Sequence, residues 1–235
     1  MSVNNVSVVL VHGAWADGSS WSKVIGPLRT EAARVVAAPL PLTSLADDLA
    51  ALERTLERVE GAVVLVGHAY AGAVIGATRN DKVRSLVYVA ALAPDEGETV
   101  ADIFYRAKPH PQAPLLGPDK HGAIWLPDHA FAEAFAQHAS TEEQTVLAAV
   151  QRPIAAACIG VAVGRPLWKD RPSWFLVAEQ DRMINPDTQH FMAERMKASV
   201  RSHQVDHTPI VTAPGVVVDI IRDAMRAIAN SGETQ

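Results

Sequence analysis

Six short segments rich in valine or aromatic residues, each closed by turn-forming residues, constrain the fold of this chain most. They read "VSVVLVHG", "ARVVAAPLP", "AVVLVGH", "VRSLVYVAALAP", "PSWFLVAEQD" and "VRSHQVDH". The first five are continuous apolar runs rather than alternating ones, the pattern of strands covered on both faces. Helical patterns lie between them. In 44–60, Leu45, Leu49, Leu52, Leu56 and Val59 recur at steps of four and three, with Asp47, Asp48, Arg54 and Arg58 off that stripe. Ser44 and Asp47 make a capping box at its start. Near the C-terminus Val217, Ile221, Ala224, Met225 and Ile228 form a second stripe, with Thr212 and Pro214 marking its beginning. Strands alternating with helices predict an α/β fold with a doubly wound, mainly parallel sheet of about six strands.

Residues 95–167 break the alternation, because they separate two strands by far more than one crossover helix needs. Their first half is loop-rich and proline-rich; their second, "PDHAFAEAFAQHASTEEQTVLAAVQRP", reads as helices. The simplest organisation is a core of 1–94 and 168–235 with a mostly helical cap inserted at 95–167, where long insertions are usually functional.

The 235 residues are 49% apolar, enough for a sizeable core, and the net charge of −5 gives no electrostatic reason to expect a nucleic-acid partner. The lone Cys158 excludes an internal disulfide and, flanked by alanines, reads as a packing residue. The N-terminus lacks a basic leader region and reads as a first strand. No stretch approaches the roughly 18 apolar residues of a membrane span. A cytoplasmic protein with a small-molecule partner and no membrane contact is expected; a homodimer stays open.

Ligand sites in open parallel sheets form beyond the carboxyl ends of the strands. Four motifs fall there: "HGAWADGSSW" at 12–21, "GHAYAG" at 67–72, Asp181 in "VAEQDRMINP" and His207 in "VDHTPI". The second has the outline of a G-x-S-x-G nucleophile elbow, but Ala69 stands at the serine position and Ala71 at the last glycine. An acyl-enzyme cannot form at a methyl group.

The sequence resembles the α/β-hydrolase superfamily, in the compact branch of methylesterases, hydroxynitrile lyases and bacterial esterases. The resemblance covers nearly the whole chain. "VLVHGAW", "VVLVGHAYAG", "LVYVAALAPDEGE", "LVAEQDRMINPDTQHFMAERM" and "VDHTPIV" carry it, and position 69, Asp181 and His207 follow the family's triad order. It implies an α/β-hydrolase fold, Asp181 and His207 as triad acid and base, and the amides of Ala14 and Tyr70 as the oxyanion hole. Thr208 stands where hydroxynitrile lyases of this branch carry a lysine, which argues against cyanohydrin chemistry.

His12, Trp15, Tyr105 and Trp125 are candidate substrate contacts, although His12, like His68, is also placed to hold loop backbone. His110, His121, His129 and His138 are further histidines of the cap. His203 and His207 are poorly spaced for a metal on a strand, and neither metal nor cofactor is expected. Asp206 is discounted as the acid orienting its neighbour His207. Three readings remain open: an ester hydrolase inactivated by serine-to-alanine replacement, a natural non-covalent lyase, isomerase or slow hydrolase using His207 with Asp181, and a non-catalytic small-molecule binder.

Overall fold

The computed structural model describes residues 5–231. Its central sheet has six strands, β1 (Val6–Val11), β2 (Arg34–Ala38), β3 (Ala62–His68), β4 (Val83–Val89), β7 (Ser173–Ala178) and β8 (Ser199–His203). Their order is β2-β1-β3-β4-β7-β8. Every pairing in this sheet is parallel, in register from Val6 opposite Ala62 to Val11 opposite Gly67 in the central pair. The residues between β4 and β7 add no strand to it. Their only strands, β5 (Ala123–Ile124) and β6 (Ile154–Ala155), form a separate antiparallel pair.

β1 and β3 are buried along nearly their whole length, as continuous Val/Leu runs require in the middle of a parallel sheet. β2 differs from the sequence expectation. It lies at the sheet edge, so Arg34 is exposed and Val35–Ala37 are only half-buried. The first stripe forms the helix Leu45–Glu57, where the Ser44 hydroxyl accepts the Asp47 amide at 3.0 Å. Asp48 is a second departure: its place off the stripe implies solvent, yet it is fully buried. The second stripe forms Pro214–Ser231, which packs on β3, β4 and β7. Among the described residues no helix is long and apolar enough to cross a membrane.

A parallel sheet carries all its strand C-termini to one end, so 12–17, 69–72, 90–93, 179–184 and 204–208 converge there. The short helix Ala71–Ala77 leaves β3 with no room to spare. A Cβ on Gly72 would lie 2.3 Å from the Leu92 carbonyl oxygen, and one on Gly67 2.9 Å from that of Ala71. Gly72→Ala is therefore expected to destabilise by the upper end of the ~1–3 kcal/mol typical of overpacking. Gly215→Ala, in the helix Pro214–Ser231 with nothing within 4 Å of the new methyl, should instead gain up to ~1 kcal/mol. Urea unfolding of both variants checks the pair.

Candidate active site

The chain leaves β1 through His12, Gly13, Ala14 and Trp15. His12 is buried; its Nδ1–H donates to the Gly13 carbonyl at 2.9 Å and its Nε2 accepts the Leu40 amide at 3.1 Å. With both ring nitrogens used by backbone, and its pKa lowered mainly by burial, it is a neutral brace. Gly13 has to be glycine, because a Cβ there would sit 2.9 Å from the Ala69 methyl. Trp15 adopts a left-handed φ of 57° and its indole donates to the Ile124 carbonyl at 2.9 Å.

At the end of β3 the chain turns through Ala69, whose φ is +51°. That conformation costs an L-residue about 1–2 kcal/mol. Three bonds stabilise the turn: the Ala69 carbonyl accepts from Gly72 at 3.1 Å and Leu92 at 3.0 Å, and its amide donates to Val89 at 3.3 Å. His68 beside it is completely buried, and its Nε2–H donates to the carbonyl of His207 at 2.8 Å. Burial, reinforced by the nearby His207, pushes its pKa down to about 3.

His207 Nδ1 lies 2.8 Å from Asp181 Oδ2, with both side chains buried. An ionised carboxylate only accepts, so the imidazole proton sits on Nδ1 and Nε2 carries a lone pair. Asp181 is held in turn by the amides of Met183 (2.7 Å) and Ile184 (2.8 Å) and by Gln189 Nε2 (2.8 Å). Gln189 also accepts the Ala178 amide at 3.0 Å, tying the loop to β7. The helix that follows, Pro186–Arg195, is capped by Asn185, which leaves Asp181 free of that duty. Asp206 faces away, accepting the Thr212 hydroxyl at 2.5 Å and the His138 amide at 3.0 Å.

A cavity of about 220 Å³ opens here. Ala14, Ala69, Tyr70 and His207 line its floor, and Phe104, Leu116, Ile154 and Ile184 are among its walls. No carboxylate, lysine or arginine lines it. Among the described residues, no protein acceptor takes the amide hydrogens of Ala14 or Tyr70. Of the expected substrate contacts, Trp15 and Tyr105 line the cavity. His12 and Trp125 are not among its lining residues: His12 is held by its two backbone bonds, and Trp125 is half-exposed. The cap histidines at 110, 121, 129 and 138 lie outside the lining as well. Met183, Ile184 and Ile159 were not foreseen as lining, because nothing in an apolar residue's identity distinguishes a cavity wall from core. Gln189 sits eight residues from Asp181, a spacing with no periodic signal.

A sequence model of the alpha/beta hydrolase family matches residues 8–220. Among curated proteins the chain is similar to a carbendazim hydrolyzing esterase of Nocardioides sp. (strain SG-4G), 30% identical over 141 residues. That alignment covers 51% of this chain and 58% of the relative, so it spans little more than half of that protein. Among solved structures it is similar to a pyrethroid hydrolase from Sphingobium faniae, with a TM-score of 0.80, 21% identity and coverage of 96% and 99% of the two chains. It is also similar to polyneuridine aldehyde esterase, with a TM-score of 0.76, 18% identity and coverage of 94% and 99%. At such identities the structural likeness speaks for the fold.

The neutral, buried state of His68 has a consequence for pH. A base whose folded pKa is depressed stabilises fully above its unfolded pKa, and the contribution is lost as pH falls towards the folded one. Here that window runs from about 6.5 down to about 3. The stability advantage of the parent over His68→Gln is therefore expected to shrink on acidification, by up to ~1.4 kcal/mol per pH unit. Urea unfolding of both proteins at pH 6.5 and 4.5 measures it; a constant difference would contradict a neutral His68.

Proposed function

Because the chain belongs to the alpha/beta hydrolase family, we propose that it binds a small apolar ester or related carbonyl compound and acts on it without a covalent intermediate. The observation that carries this reading is a fully braced His207–Asp181 pair facing a cavity whose nucleophile position is a methyl group. His207 is the general base, Asp181 its orienting acid, and the Ala14 and Tyr70 amides are the donors to the substrate oxygen. Residues 95–167 form the cap that supplies most of the cavity wall.

Ala69 lacks the hydroxyl a serine would carry and lines the same cavity as His207. A water molecule there gives a proton to His207 Nε2 as it attacks the ester carbonyl. Negative charge grows on the carbonyl oxygen, and amides already unpaired in the resting site stabilise it without reorganising. The imidazolium, held by Asp181, then protonates the departing alcohol. The apolar, uncharged lining favours neutral ligands, since burying a charge without a partner is costly. The esterase names of the Nocardioides relative and of polyneuridine aldehyde esterase agree with the ester class; this chain's own substrate is part of the proposal.

A second reading has its own support: apart from Ala69 and Ala71 the parts of a covalent esterase are all present, as in a serine-to-alanine form of such an enzyme. Removing a triad serine costs on the order of 10⁶ in turnover, while binding and oxyanion donors still leave about 10³–10⁴ over water. Turnover of 4-nitrophenyl butyrate by the parent, His207→Ala and Ala69→Ser separates the readings. The proposal expects slow turnover by the parent, its loss in His207→Ala, and a gain of less than about tenfold in Ala69→Ser. A gain of roughly 10³ or more would transfer the assignment to the covalent reading. Equal rates for the parent and His207→Ala would remove His207 from the chemistry.

A further inference from the structure

Asp48 is fully buried, yet among the described residues no lysine, arginine or histidine pairs with it. Its partners are neutral donors from three segments: the loop just before its own helix, the β3 turn and the chain near 158. Oδ1 accepts the Leu42 amide at 2.7 Å, and Oδ2 accepts the Tyr70 phenol at 2.8 Å. The Cys158 thiol lies 3.8 Å from the same Oδ2. Each segment leads to the cavity. Leu42, at a left-handed φ of 60°, accepts the Ala155 amide through its carbonyl at 2.9 Å, between the lining residues Ile154 and Ala156. Cys158 stands between the lining residues Ala156 and Ile159. Tyr70 directly follows the strained Ala69.

Burying a carboxylate without a cation is costly, so stability does not account for Asp48. Geometry does. Ala69 gains free energy by leaving its left-handed conformation, and such a relaxation would swing the next amide, that of Tyr70, off the cavity. A phenol anchored 2.8 Å from a buried carboxylate resists the swing. We propose that Asp48 is a positioning residue: by holding the Tyr70 phenol it keeps the Ala69 turn wound and the Tyr70 amide aimed at the ligand's carbonyl oxygen. This rests on the reading of that amide as an oxyanion donor.

The test compares the parent with Tyr70→Phe, Asp48→Asn and the double variant, in ester turnover and in thermal unfolding. Tyr70→Phe removes the tie and leaves the ring and the amide. Its kcat is expected to fall roughly tenfold to a hundredfold, with KM within about twofold, because orientation and not binding is lost. Asp48→Asn falls less, since its amide can keep the Leu42 bond and donate to the phenol oxygen. The double variant falls no further than Tyr70→Phe, as expected of residues acting through one contact.

Asp48→Asn also melts no lower than the parent at neutral pH, because it removes a buried charge. Burial, with Asp47 nearby, raises the Asp48 carboxyl pKa, so the parent's penalty appears as pH rises through that pKa and fades on acidification. Parental kcat in Tyr70→Phe, a loss confined to KM, additive losses, or a lower melting temperature of Asp48→Asn with unchanged kcat would each overturn the proposal. Equal hydrolysis by the parent and His207→Ala would instead remove the functional reading alone. Positioning is then read from the infrared carbonyl band of bound acetophenone. Its return towards the unbound frequency in Tyr70→Phe supports the tie, and an unchanged band refutes it.

Discussion

The close approach of backbone to backbone where β3 becomes the helix Ala71–Ala77 is the constraint on which the site depends. Helix and strand meet so tightly that a side chain on Gly72 would run into the Leu92 carbonyl and one on Gly13 into the Ala69 methyl. To make that turn Ala69 takes a left-handed conformation that alanine disfavours. The surrounding hydrogen bonds over-determine it. One consequence is spatial: Ala69 and Tyr70, the two residues at the turn, both line the cavity.

Around this turn lies a layer of buried polar groups tied to backbone and to one another. His12 braces the first loop, His68 reaches across to the carbonyl of His207, and Asp181 collects two amides, a carboxamide and an imidazole. Such groups are expensive to bury unpaired, and each pairing therefore fixes one loop against another. His207 is consequently oriented from both sides, by Asp181 through its ring and by His68 through its carbonyl.

The cavity itself is the least polar part of this end of the molecule. Its polar side chains are few, those of His207, Tyr70, Tyr105 and Trp15, the pattern expected of a pocket that binds by shape and orients by a few polar contacts. On the proposed reading, Ala69 makes the difference between this site and a covalent one a matter of one oxygen atom. The scaffold around it is unchanged in kind, because what the turn demands of position 69 is a left-handed backbone, which does not depend on a hydroxyl.

The sequence by itself determined the sheet, its parallel sense and which strand ends meet. Continuous apolar runs can be satisfied only by cover on both faces, and parallel strands must end together. The turn at Ala69 was legible for the same reason, since it directly follows such a run, whereas Asp181 and His207 were expected from the chain order of the motifs and lie three and four residues beyond their strands. What the tertiary structure decided is what periodicity cannot encode. Asp48 looks solvent-facing on its helix but is buried, because Tyr70 and Cys158 arrive from elsewhere in the chain and the preceding loop folds back to place the Leu42 amide on it. His12 and Trp125 look like ligand contacts, yet one is held by backbone and the other is half-exposed. Long-range packing settles whether a polar side chain braces a loop, faces a ligand or meets water, and no local pattern of residues carries that information.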